Sequence, residues 1–227
     1  MSFIDTLVDR IKNPSLGIGE ATVSGAIDTI KVVSLRERTW RSKFQVQPII
    51  YNAQNNLPRD VRTFLFDKSC ILEQCIIDYK LKGSTDSDTA YNCLMWVIDH
   101  VKYVGDETTH KQIEFWQDPE ETIATLQGDC EDMSILLKSL CLIAGIPDWK
   151  IKIMCGNVTG GGHAYCVYIR DDDSQCILDG CYWPNRLPIN SRPARETEKN
   201  YLEVWFSFDR MHGYAPKPIV YSLGKIN

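Results

Sequence analysis

The chain has 227 residues, of which 44% are hydrophobic, enough for one ordered domain with extensions. Its 25 basic and 30 acidic residues leave a net charge of -5 and a pI near 5.4, which argues against nucleic-acid binding by charge. No run approaches the ~18 apolar residues of a membrane span, and the opening Met1-Ser2-Phe3-Ile4-Asp5-Thr6 lacks a secretory pattern.

In chain order, residues 1–58 read as an arm or attachment segment. Phe3, Ile4, Leu7 and Ile11 suit a short amphipathic helix, which Pro14, Gly17, Gly19 and Gly25 interrupt. The basic cluster Arg36, Arg38, Arg41 and Lys43 precedes a β-prone stretch over 44–51. Such a cluster is more often a solvated face than a binding patch, though it suits an acidic partner. Residues 59–213 form the expected domain. Val61, Phe64, Leu65, Ile71, Leu72, Ile76 and Ile77 predict one or two helices. Gly83-Ser84-Thr85-Asp86-Ser87 is a loop and helix cap, and Ala90, Cys93, Leu94, Val97, Ile98 and Val101 trace a helical stripe.

A second stripe, Met133, Leu136, Leu137, Leu140, Cys141 and Ala144, predicts an amphipathic helix stopped by Gly145 and Pro147. Residues 163–170 alternate as a strand, 171–174 supply turn chemistry, and 175–179 read as a second strand, giving an antiparallel hairpin. Gly160-Gly161-Gly162 ahead of it suits either a plain turn or close substrate access. The aromatic-rich alternation over 201–208 predicts a further strand, and 214–227, with Pro216 and Pro218, an extended tail.

The chemistry concentrates in Gly128-Asp129-Cys130-Glu131-Asp132, His163-Ala164-Tyr165 and Leu178-Asp179. Cys130 stands at a helix start, where unpaired N–H groups and the helix dipole favour a thiolate. Asp129 can cap that helix, and Glu131 and Asp132 suit its first turn. The same acids oppose thiolate formation near the sulfur, so a cationic partner is wanted, and His163 supplies one. The open end of the hairpin holds His163 and Asp179, so that the carboxylate can fix the imidazole while the other ring nitrogen faces the thiol. Most of the nine cysteines are expected to be core filler. Their odd number and scattered spacing favour a reducing compartment, with no C-x2-C or finger spacing for zinc.

These motifs resemble the transglutaminase-like superfamily over about residues 87–184, with Tyr103-Val104-Gly105-Asp106 and the 116–122 stretch as the approach to the nucleophile. The resemblance is greatest to its bacterial and phage-encoded cysteine peptidases. It implies an α+β, papain-like fold, with the Cys helix packed on an antiparallel sheet carrying His and Asp. It also implies Cys130 as nucleophile, His163 as general base and acid, and Asp179 as the orienting carboxylate. The Cys130 N–H would be one oxyanion donor and Trp116 or Gln117 the second, although Trp116 equally suits a core aromatic. The chemistry needs no cofactor, while calcium at Asp129, Glu131 and Asp132 is known among relatives and so is an option here.

The expected activity is that of a cysteine peptidase or amidase working through an acyl-enzyme on peptide or side-chain amides. Capture of the same acyl-enzyme by an amine would give cross-linking. The alternative from another class is a structural component of a phage particle, held to other phage proteins through residues 1–58. The expected location is accordingly a reducing cytoplasm or a virion.

Overall fold

The fold is given by a computed structural model, which describes residues 45–46, 50–54 and 57–215. Its centre is a six-stranded sheet, in the order β1 (Gln45–Val46), β10 (Gly213–Ala215), β9 (Tyr201–Phe208), β6 (Ile151–Val158), β7 (Gly161–Ile169) and β8 (Gln175–Leu178). Every neighbouring pair in it is antiparallel. Two small pairs stand apart: β2 (Ile50–Gln54) with β3 (Leu57–Asp60), and the parallel β4 (Lys102–Tyr103) with β5 (Gln127–Gly128). The fold is therefore α+β with an antiparallel sheet, as in papain-like proteins.

The helices are α1 (Cys70–Asp78), α2 (Asp86–His100), α3 (Asp106–Thr109), α4 (Pro119–Thr125) and α5 (Cys130–Ile143). Thr85 caps α2 in a reciprocal box with Asp88, which satisfies two otherwise unpaired helix-end donors. At the far end of α5, the chain turns at Gly145, whose φ of 102° a side chain would strain, and the Ile146 amide donates to Cys141 O at 3.0 Å.

The stripe expected to make α5 amphipathic is present, but the helix is buried on every side from Cys130 to Cys141. It packs against β6 and β7 on one side and against α1, α2 and α4 on the others. Its polar residues are accordingly paired. Lys138 Nζ meets Asp148 Oδ1 at 2.7 Å, Ser139 Oγ accepts from the Phe66 amide at 3.1 Å, and Ser134 Oγ donates to Cys130 O at 2.7 Å. Each fully buried Leu or Ile on this helix contributes about 1.5–3 kcal/mol, enough to tolerate these polar insertions once bonded.

β7 alternates as expected, and both of its faces are buried. Ala164, Cys166 and Tyr168 join the main core beneath the helices, while Tyr165, Val167 and Ile169 form a second cluster with Met154, Val158 and Ile177. In the loop after β8, Trp183 packs on this second cluster, whereas Ile189 joins the main core. Arg170 Nε donates to Ile189 O at 3.0 Å and Arg192 to Ile177 O at 3.2 Å, tying the loop down.

Two segments read as peripheral contribute strands to the sheet. β1 comes from the stretch assigned to the arm, and β10 includes Tyr214 and Ala215 at the start of the expected tail, with Gln45 opposite Ala215. A two- or three-residue strand carries too little periodicity to be read from sequence, because its partner lies about 170 positions away. Of the arm, β2 and the start of β3 are also described, as a separate antiparallel pair; the remainder of the arm and of the tail lies outside the described residues.

Candidate active site

The site is built where the N-terminus of α5 meets the end of the β6–β7–β8 sheet. Gly128 makes the junction possible: a Cβ there would lie 2.6 Å from Cβ of Asp132. Asp132 in turn accepts from the Asp129 amide at 3.2 Å, fixing the first turn. Cys130 is the first residue of α5 and is 7% exposed. Its thiol donates to Glu131 Oε2 at 3.0 Å, and its sulfur accepts from the Ala164 amide at 3.4 Å.

That second contact puts the sulfur one residue along the chain from His163. His163 Nε2 lies 2.8 Å from Asp179 Oδ2. Asp179 also accepts from the Tyr201 hydroxyl at 2.7 Å and from the Cys181 and Tyr182 amides at 2.9 and 3.1 Å. Burial alone would raise this carboxyl, but the His163 contact, the Cys181 amide and the Tyr201 hydroxyl outweigh it and hold it at about 2. The Tyr182 ring stands edge-on to His163 at 4.6 Å, and Tyr165 stacks at 6.0 Å. The imidazole is thus clamped with its tautomer set, the proton on Nε2, and Nδ1 is buried without a hydrogen-bond partner. The expected His163–Asp179 contact is formed. A Cys130–His163 hydrogen bond is not, since the thiol proton goes to Glu131.

A cysteine opening a buried helix, against a sheet end that carries a clamped His–Asp pair, is the arrangement expected from the motifs. Residues 77–172 match the sequence profile of the transglutaminase-like superfamily. Residues 77–172 are thus transglutaminase-like. By fold it is similar to LapG of Legionella pneumophila, with a TM-score of 0.51 and 19% identity over 63% of this chain and 75% of that one. A calcium-bound form of the same protein superimposes at a TM-score of 0.45, with 19% identity over 67% of this chain and 91% of that one. In sequence it is 28% identical over 134 residues to UPF0252 protein MJ1282 of Methanocaldococcus jannaschii, covering 55% of this chain. The chain spans 37% of the length of that curated relative.

Within the transglutaminase-like stretch, carboxyls crowd the thiol. Asp106, Asp129 and Asp132 bring oxygens within 4.8 Å of one another, and so do Asp106, Glu114 and Glu131. Burial, then mutual repulsion, pushes Glu114, Asp129 and Glu131 well above the usual carboxylate range; Asp132 rises to about 8 and Asp106 to about 7. Burial, then Glu131 and Asp129, also pushes the Cys130 thiol up. The thiol is therefore held protonated, which explains why it turns to a carboxyl. Asp106 stands 24 residues and Glu114 16 residues before Cys130. Asp106 was legible only as part of a motif, and no periodicity marked Glu114.

The expected calcium ligands were Asp129, Glu131 and Asp132. Asp129 and Asp132 do converge, with Asp106 as their third oxygen donor, and Oδ1 of both Asp106 and Asp129 is buried without a partner. An all-oxygen group with spare lone pairs suits a hard divalent cation. Glu131 instead faces the thiol and Glu114.

The two oxyanion candidates are engaged elsewhere. Trp116 is fully buried near Phe64 and Phe208, and its indole N–H donates to Glu114 Oε1 at 2.6 Å. Gln117 donates its backbone amide to Asp132 Oδ1 at 2.8 Å, and its Nε2 to Asp132 Oδ2 at 2.7 Å and to Gln127 O at 3.3 Å. Two groups unnoticed as site residues from sequence face the transglutaminase-like site. Cys181 Sγ lies 4.0 Å from His163 Nε2, and Tyr103 sits half-exposed on β4. Burial, then the charges of Cys130, Asp129, Cys181 and Glu131, pushes the Tyr103 phenol up.

Proposed function

We propose that this protein is a thiol hydrolase, a cysteine peptidase or amidase acting through an acyl-enzyme. The observation that carries the reading is the His163 Nε2–Asp179 Oδ2 contact at 2.8 Å, which leaves Nδ1 with a free lone pair one residue from the sulfur's own backbone contact. In this reading His163 Nδ1 takes the thiol proton as Cys130 Sγ attacks an amide carbonyl. The tetrahedral intermediate collapses, the amine leaves with the proton returned by His163, and water frees the acyl group by the reverse sequence. Asp179 supports the imidazolium and prevents ring rotation. An amine in place of water would give cross-linking from the same intermediate.

The convergence of Asp106, Asp129 and Asp132 supports calcium as a ligand of this site. Burial, then Glu131 and Asp129, pushes the Cys130 thiol up, and a bound divalent cation would offset the contribution of these two carboxyls. Attack itself remains the work of Cys130, His163 and Asp179.

The protonated, buried thiol also supports a second reading, a scaffold or interaction protein built on this fold. In that reading residues 1–58 attach the domain to an assembly such as a phage particle, and the reducing cytoplasm or virion is its setting. The two readings separate by experiment. The protein is treated with an activated ester, p-nitrophenyl acetate, with and without calcium, and the adduct is mapped by peptide mass spectrometry. Acylation at Cys130 that is lost in His163→Ala supports the hydrolase; no acylation there under either condition supports the scaffold.

A further inference from the structure

An acyl-transfer site needs two donors aimed at the developing oxyanion, and the helix supplies one of them, the Cys130 amide. The indole of Trp116 and the amide of Gln117 are held by Glu114 and Asp132. Gln127 lies opposite Lys102 in the β4–β5 ladder, while Tyr103 pairs with Gly128, so Gln127 and Tyr103 stand on opposite faces of that pair. The phenol of Tyr103, on the face of that pair opposite Gln127, is a further donor.

Resting on the acyl-enzyme reading above, we propose that the Tyr103 hydroxyl is the second oxyanion donor of this site, and so a catalytic residue. Tyr103 is fixed beside the nucleophile by the parallel pairing of β4 with β5, and the next amide, Val104 N, donates to Gly128 O at 3.0 Å, two residues before Cys130. Its side chain is 52% exposed, and among the described residues its hydroxyl makes no hydrogen bond. After burial, the charges of Cys130 and of Cys181, the latter 4.0 Å from His163 Nε2, act on the Tyr103 phenol. An O–H donor there, free in the resting state, needs no partner displaced when the oxyanion forms. A phenol stays protonated at neutral pH. As the Cys130 S–C bond forms, the carbonyl π pair moves onto oxygen, where the Tyr103 O–H and the Cys130 N–H receive it. When the pair returns, the C–N bond breaks and the amine leaves with the proton from His163.

The test is Tyr103→Phe, which keeps the ring and removes the donor. Two rates are read at Cys130: acylation by p-nitrophenyl acetate, which passes through an oxyanion, and alkylation by iodoacetamide, which does not. Y103F is expected to slow acylation by about 10²–10³-fold and to leave alkylation within about twofold. Unchanged acylation would overturn the proposal. So would an equal fall in both rates, since that would make Tyr103 a determinant of thiol reactivity. If wild-type protein gives no acylation beyond that of Cys130→Ala, the acyl-enzyme reading itself fails, and the oxyanion role falls with it.

Discussion

The Cys130 thiol donates a hydrogen bond to Oε2 of Glu131, its immediate neighbour, at 3.0 Å, while His163 Nδ1 stays unpartnered. Adjacent residues on a helix point about 100° apart, so this contact depends on Glu131 curling back to the helix start. The reason is electrostatic. Burial, then Glu114 and Asp132, pushes Glu131 itself toward its neutral form, and a shared proton costs less than two buried charges.

Replacing Cys130 by Ala removes the proposed nucleophile and little else. Hydrolysis and Cys130 acylation should vanish, while thermal unfolding shifts by about 1 kcal/mol or less, because the lost atom is small and its bonds are weak. Residual hydrolysis at more than trace level would contradict the assignment of Cys130. Activity assays and a melting curve on one preparation make the comparison.

Asp179→Asn should damage both chemistry and stability. The folded carboxyl at about 2 lies below the ~3.9 of an unfolded Asp, so its contribution is of order 2–3 kcal/mol. A depressed folded value means that this stability is fully present above about pH 4 and is lost as pH falls toward about 2. In D179N that acid-side loss should be absent, and turnover should fall by about 10³–10⁴-fold through misorientation of His163. Urea unfolding at several pH values reads the first, and steady-state kinetics the second.

The acidic cluster predicts the opposite pH dependence. Asp132 at about 8 and Asp106 at about 7 are raised above their unfolded value near 4. Their contribution is therefore favourable below about pH 4 and is lost as pH rises toward 7–8, so metal-free protein should melt lower at pH 8 than at pH 5. Calcium should raise the melting temperature more at pH 8, where the carboxylates are free to bind it. Equal melting with calcium and with EDTA at pH 8 would remove the cation from this site.

Gly128→Ala tests the junction of β5 with α5. Its Cβ would sit 2.6 Å from Cβ of Asp132, inside contact distance, and Asp132 is tied to Gln117 and to the Asp129 amide. The helix start must then move, at a cost of about 1–3 kcal/mol. Activity should fall further than stability suggests, because the shift carries Cys130 with it. Chemical denaturation alongside kinetics separates the two losses.

The order of Cys130, His163 and Asp179, and the elements that bear them, could be read from sequence because each signal is local. Apolar residues at helical spacing mark α5, strict alternation marks β7, and the turn residues 171–174 join it to β8. Gly128 before the helix was legible for the same reason, as a close approach within five residues. Packing then decided what periodicity cannot encode. It buried α5 on every side, drew β1 and β10 into the sheet, brought Asp106 and Glu114 to Asp129, Asp132 and Glu131, and took Trp116 and Gln117 for Glu114 and Asp132. Those outcomes depend on which groups lose water together. Desolvation raises the energy of every unpaired charge and donor at once, so each partner is chosen by distance in space among residues far apart in the chain.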